Sequence, residues 1–152
     1  MIKDRVVQMA VVMVLGPIFE ADLCDEQMGF RPGRDAKTAV RLVYCQVARK
    51  GRQEVVDADL SDCFNTIPHG ALLRCPSRRI ADGQVPALIK AWLRVPVVER
   101  KRGKANPQTT EARNSSRGTP QGGVISPLLA NIYFRRFALA WKSSAWTARP
   151  AL

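Results

Sequence analysis

The residues best suited to chemistry are the carboxylates of Glu54 to Phe64, EVVDADLSDCF. There Asp57, Asp59 and Asp62 follow a short apolar pair, Val55 and Val56. Hard cations such as Mg²⁺ take oxygen ligands, commonly one or two protein carboxylates, with phosphates and water completing the shell. Strand-forming residues leading into carboxylates would set such ligands at the end of a buried sheet. The same aspartates would also serve as solvated turn or helix-cap residues, and the stretch alone leaves both readings open. A second stretch, Arg117 to Asn131, reads RGTPQGGVISPLLAN. A glycine-rich turn entering a helix lets backbone approach a ligand closely and offers N–H groups to phosphate. It is not a Walker motif, because no Gly-Lys-Ser/Thr follows, and it lacks the dinucleotide G-x-G-x-x-G spacing. A third stretch, Gly29 to Arg34 (GFRPGR), puts two arginines on a loop that could grip phosphate.

Composition narrows the ligand class. The 152 residues are enough for one domain with a core, and the net charge is +11 with a pI near 10.3. Such an excess points to a polyanionic partner, nucleic acid before an anionic membrane. Residues 94–117 hold seven Lys or Arg against two acids, fitting a solvated hairpin or a nucleic-acid contact equally. The cysteines, Cys24, Cys45, Cys63 and Cys75, form no C-x-x-C pair, and His69 is the single histidine, which argues against zinc. They read as reduced and mostly buried in a cytoplasmic protein. The apolar run Met9 to Leu15 is too short to span a bilayer, and no cleavage site follows it, so neither a membrane span nor a signal peptide is expected.

Periodicity supplies the elements that must position these residues. Val6, Met9, Ala10, Met13 and Val14 predict a buried helix over 3–15, kinked or stopped by Gly16-Pro17. Asp35 reads as the cap of a helix running to Arg49, with Ala36, Ala39, Val40, Val43 and Val47 as its apolar face. A strand is expected in the acidic stretch. A helix then starts at Thr66 (a cap) and Pro68, is broken at Pro76, and resumes through Leu88, Ile89, Trp92 and Leu93 if it begins near Pro86. Val95, Val97 and Val98 suggest a short strand. Ser126 with Pro127 predicts a last helix burying Leu128, Leu129, Ile132, Tyr133 and Phe137.

With these blocks in place the chain resembles the reverse transcriptases encoded by bacterial group II introns. GTPQGG followed by ISPLLANIY looks like their fourth block, DADLSDCF like the third, GFRPGR like the second, and IKDRVVQMAVVMVLGPIFE like the end of the first. The order is the family's, over residues 2–142. The resemblance implies an α+β fold: incomplete fingers and palm of a right-hand polymerase, mostly helical with a small antiparallel sheet. It implies two-metal nucleotidyl transfer with Mg²⁺ as cofactor. Asp59 then matches the catalytic, metal-binding aspartate and Leu60 lends a backbone carbonyl to a metal. Phe64 matches the steric gate beneath the nucleotide sugar. Gln121, Gly122 and Gly123 match the loop against the nascent base pair. Arg31 and Arg34, with Arg117, match nucleic-acid-binding positions, the first two holding template or neighbouring loops. The implied partners are an RNA template or intron RNA, a DNA primer and deoxynucleoside triphosphates, with no membrane.

The sequence also departs from that pattern. No Asp or Glu follows Glu111, so no Tyr-Ala-Asp-Asp hairpin supplies further carboxylates, and Asn65 follows Phe64 where the family has Asp. Residues 1–142 read as a partial reverse transcriptase domain. The tail 143–152 matches nothing expected and reads as frameshifted or disordered, the abrupt loss of resemblance pointing to a frameshift or a premature stop. The expectation is a fragment of an RNA-directed DNA polymerase that is inactive alone. The alternatives are a non-catalytic RNA-binding remnant and a pseudogene product.

Overall fold

A computed structural model describes residues 2–52, 54–95, 98–99, 108–109, 116–119 and 122–144. In chain order the elements are α1 (Ile2–Glu20), α2 (Ala36–Tyr44) with a π-turn (Cys45–Arg49), α3 (Cys63–Thr66), α4 (His69–Arg74) and a 3₁₀ turn (Pro76–Arg78). They continue with α5 (Gln84–Leu93), β1 (Val98–Glu99), β2 (Gln108–Thr109) and α6 (Ser126–Ser143). The chain divides into two compact units, Met1–Leu60 with Pro127–Leu152, and Ser61–Ser126.

In the first unit α1 runs through Gly16-Pro17 to Glu20, where the sequence predicts a kink or stop. Proline frees the carbonyl four residues back, here that of Met13, and both Met13 and Pro17 are exposed, so water can satisfy it. The helix is also less buried than its apolar pattern predicts. Only Leu15 and Phe19 are buried, whereas Val6, Met13 and Val14 are each more than 60% exposed. Leu23 and Cys24 continue the buried side beyond α1, and Leu129, Ala130 and Ile132 are the buried apolar positions of α6. Phe137, expected inside, is exposed and stacks on Trp141 instead.

The loop after α1 is fastened to α6 by polar contacts. Gln27 Nε2 donates to the Asn131 carbonyl at 3.1 Å and Asn131 Nδ2 to the Gly29 carbonyl at 2.9 Å. Arg135 Nε donates to the Asp22 carbonyl, and Lys142 Nζ lies 2.7 Å from Glu26 Oε2. Asn131, Arg135 and Lys142 are spaced to share one helical face.

Helix α2 begins where expected. Asp35 has extended backbone and its carboxylate accepts from the Thr38 N–H at 2.7 Å, satisfying one orphan donor. Helical turns continue to Arg49, and Gly51 (φ 64°) reverses the chain. The apolar face of this helix is real but uncovered: Val40, Val43 and Val47 are exposed.

The strand expected over Val55 and Val56 does not form. Residues 54–60 are irregular, and Val55, Val56 and Leu60 are exposed. A strand is held by a neighbour that pairs its N–H and C=O groups. Among the described residues 54–60 pairs with nothing. The only strands among them, β1 and β2, form a two-residue antiparallel ladder, Val98 opposite Thr109 and Glu99 opposite Gln108. That ladder does not amount to the small palm sheet the resemblance implies; the fold is mostly helical.

The second unit has a compact core of Ile67, His69, Leu72, Pro76, Ile89, Trp92 and Leu93, with Thr119 and Ile125. Leu72 and Ile89 are wholly buried, each contributing about 1.5–3 kcal/mol relative to exposure. Pro76 ends α4 and opens the 3₁₀ turn, and Pro86 falls in the first turn of α5, both as their chemistry requires. Thr66 is not a cap. It closes α3, and its hydroxyl donates back to the carbonyls of Asp62 and Cys63.

Candidate functional site

The glycine-rich block and the segment after the acidic stretch are locked together within the second unit. Residues 116–118 run antiparallel to 67–69, just after the short helix α3. His69 N–H donates to the Ser116 carbonyl at 2.8 Å, and Gly118 N–H to the Ile67 carbonyl at 2.8 Å. These two bonds flank the Pro68–Arg117 bridge, whose central pair exchanges no hydrogen bond. Pro68 therefore sits where its missing N–H is not needed. Thr119 N–H donates to the Phe64 carbonyl at 2.6 Å, and its hydroxyl reaches the same oxygen at 3.4 Å.

Gly118 explains why this block needs glycine. Its φ is +92°, and a Cβ there would lie 3.0 Å from the Asn65 carbonyl oxygen and 3.2 Å from Asn65 Cα. Both the backbone conformation and the close approach disfavour a side chain. Gly122 also has positive φ, +79°, in open surroundings, and the Gly123 carbonyl accepts from Ser126 N–H at the start of α6.

Of the residues predicted to bind nucleotide, Phe64 is half-buried with its carbonyl held by Thr119, Gly122 is exposed and Gly123 half-buried. Gln121 lies outside the described residues. Arg117 is exposed at the bridge to Pro68.

The two loop arginines differ. Arg31 is buried, and its guanidinium is committed to the protein. Nε and Nη2 both meet Glu20 Oε1, at 2.8 and 2.7 Å, while Nη1 donates to the carbonyls of Cys24 and Gln27 at 2.6 and 2.8 Å. Phe30 and Gly33, both with positive φ, bend the chain around it. Arg31 thus holds the neighbouring loop, and its contacts leave little for a ligand. Arg34 is half-exposed and pairs loosely with Asp25 at 3.3 Å.

The acidic stretch is the least organised part of the predicted site. Asp59 and Leu60 are exposed, and among the described residues Asp59 makes no hydrogen bond or ion pair. Asp62 is a turn residue with φ 53°; its carboxylate accepts from Asn65 Nδ2 at 2.6 Å. The Asp59 carboxylate and Leu60 carbonyl are hard oxygen donors of the kind Mg²⁺ takes. Among the described residues, however, no group of three or more His, Cys, Asp or Glu could hold an ion. The donor set does not fit a two-ion centre. The four cysteines are free thiols, Cys24 buried and the others half-buried. No described helix is long and apolar enough to cross a membrane.

One residue escapes sequence reasoning. His69 starts α4 and is buried, and its Nε2 lies 2.6 Å from the Gly118 carbonyl. The partners are 49 residues apart, and no local pattern announces the contact.

Comparison with known proteins agrees with the blocks. The reverse transcriptase (RNA-dependent DNA polymerase) family profile matches residues 1–147. The chain belongs to the reverse transcriptase family. Its relatives include intron-encoded members. It is 33% identical over 130 residues to the group II intron-encoded protein LtrA of Lactococcus lactis subsp. cremoris, covering 86% of this chain and 20% of that protein. It is 37% identical over 139 residues to protein YkfC of Escherichia coli, covering 90% and 34% respectively. It is 33% identical over 111 residues to the mitochondrial nuclear intron maturase 2 of Arabidopsis thaliana, covering 73% and 15%. The chain thus spans about a third or less of the length of these relatives.

Proposed function

We propose that this chain is the segment of a group II intron reverse transcriptase/maturase that carries the nucleotide loop and one metal-binding carboxylate of RNA-directed DNA synthesis. The observation supporting this reading is the interlock of 64–69 with 116–119. It ties the aromatic position of the third block to the start of the glycine loop of the fourth, around the Pro68–Arg117 bridge. The roles follow the chemistry. Phe64, tethered through its carbonyl, acts at the sugar of the incoming nucleotide. Gln121, Gly122 and Gly123 face the base pair. Asp59 and Leu60 offer oxygens to Mg²⁺, and exposed Arg117 and half-exposed Arg34 meet phosphates of template RNA or primer.

The 152 residues alone do not polymerise. One exposed carboxylate cannot hold two divalent ions, and the sequence has no acid after Glu111. Purified chain on poly(rA)/oligo(dT) with Mg²⁺ or Mn²⁺ is expected to incorporate no nucleotide. Incorporation that disappears with Asp59→Ala would overturn this.

The charge of +11 favours a second, compatible reading, RNA binding without turnover. It predicts an affinity for single-stranded RNA that falls steeply between 50 and 200 mM salt. Salt-independent binding, or none at low salt, contradicts it.

A further inference from the structure

His69 meets the loop with two donors. Its backbone N–H reaches the Ser116 carbonyl at 2.8 Å, and its ring Nε2 reaches the Gly118 carbonyl at 2.6 Å. Those carbonyls belong to residues two apart, and both contact His69. A slip of the loop by one residue would break both contacts at once. The residue therefore reads register, which a backbone donor alone does less strictly. A carbonyl only accepts, so the facing ring nitrogen carries a proton. The contact is buried within the core of the unit, with Ile67 and Thr119 also buried on the paired segments.

We infer that His69 is the positioning residue of the glycine-rich loop. Its Nε2–H holds the Gly118 carbonyl, fixing the register of 116–119 against 64–69 and so the point from which Gly122 and Gly123 depart. The functional consequence rests on the proposed nucleotide role of that loop; the clamp itself does not. The test accordingly uses the full chain without nucleotide or metal, and its outcome is independent of whether the polymerase reading holds.

In ¹⁵N-labelled protein the His69 Nε2 resonance should be that of a protonated, pyrrole-type nitrogen. This measurement needs no variant, and an unprotonated Nε2 overturns the inference. His69→Leu should speed amide exchange at Gly118 and Thr119 about five- to tenfold, the scale of one net hydrogen bond. Exchange at Leu72 and Ile89 should change less. The Gly122 and Gly123 amide resonances should shift in the same variant. His69→Gln, whose side-chain amide can donate from a similar position, should restore both signals toward wild type. Wild-type exchange in His69→Leu, or a glutamine variant no better than leucine, would show His69 to be core filling only.

Discussion

The 64–69/116–119 ladder and the 54–60 stretch carry adjacent blocks of one family, yet only the first is held by this chain. In the ladder every device is present: a glycine that admits a close backbone, a proline at a position needing no donor, and a buried histidine on the facing carbonyl. Along 54–60 the valines and Asp59 are exposed, and nothing described pairs with their backbone. Backbone held by its own ladder keeps its geometry. Backbone whose apolar side chains touch nothing has only intrinsic propensity to hold it, and β-propensity is mostly packing.

The sharpest way to break this contrast is Gly118→Ala. At φ +92°, with a Cβ 3.0 Å from Asn65 O, it should destabilise the second unit by about 2–3 kcal/mol in denaturant unfolding. A neutral result would mean that the ladder is not close-packed. Next comes Arg31→Met in the first unit. It leaves the Cys24 and Gln27 carbonyls and the Glu20 carboxylate without their donor, and should cost about 2 kcal/mol. Retention of RNA affinity by the folded variant would agree with a loop-holding role, whereas a selective loss of binding would argue for phosphate contact.

A smaller, pH-dependent effect belongs to the surface of the first unit. The hydrogen bond with Thr38 holds the Asp35 carboxyl below its ordinary range, and the one from Lys142 does the same for Glu26. The Lys142 ammonium is raised in turn, chiefly by that bond with Glu26. A lowered folded pKa stabilises above the unfolded value and is lost as pH falls through the folded one; a raised lysine is the mirror case. These contributions are therefore intact at neutral pH. The acidic pair fades below the normal carboxylate range, and the Lys142 share fades only above the normal lysine value. Asp35→Ala should fray α2 and remove the acid-side dependence assigned to it, read from helical amide exchange against pH. The smallest effect is expected from Val55→Ser with Val56→Ser, within about 0.5 kcal/mol of wild type because both valines are already in water. A large loss of stability there would mean that the stretch is packed after all.

These differences also mark what the sequence made legible. Local chemistry was readable: the Asp35 cap, the break at Pro76 and the start of α5 near Pro86 all stand where residue type put them. The family was readable because four blocks occur in order. What failed was burial. Val6, Met13, Val40 and Val43 keep helical spacing but lie exposed, because periodicity says which face is apolar and not whether anything covers it. Gly16-Pro17 failed as a stop because a carbonyl freed at the surface can be solvated. The His69–Gly118 contact was invisible because it depends on tertiary pairing between segments far apart in the chain. For Asp59, the metal-binding role is what the family resemblance implies, and no group of three or more His, Cys, Asp or Glu among the described residues could hold an ion.

This chain organises the start of its glycine loop but not its acidic stretch. Amide hydrogen exchange on the wild-type protein reads both at once. Gly118 and Thr119 should be protected to nearly the level of Leu72, while Val55, Val56 and Leu60 exchange at rates close to those of an unstructured chain, with or without Mg²⁺. Strong protection across 55–60, or none at Gly118 and Thr119 in the folded protein, would contradict it.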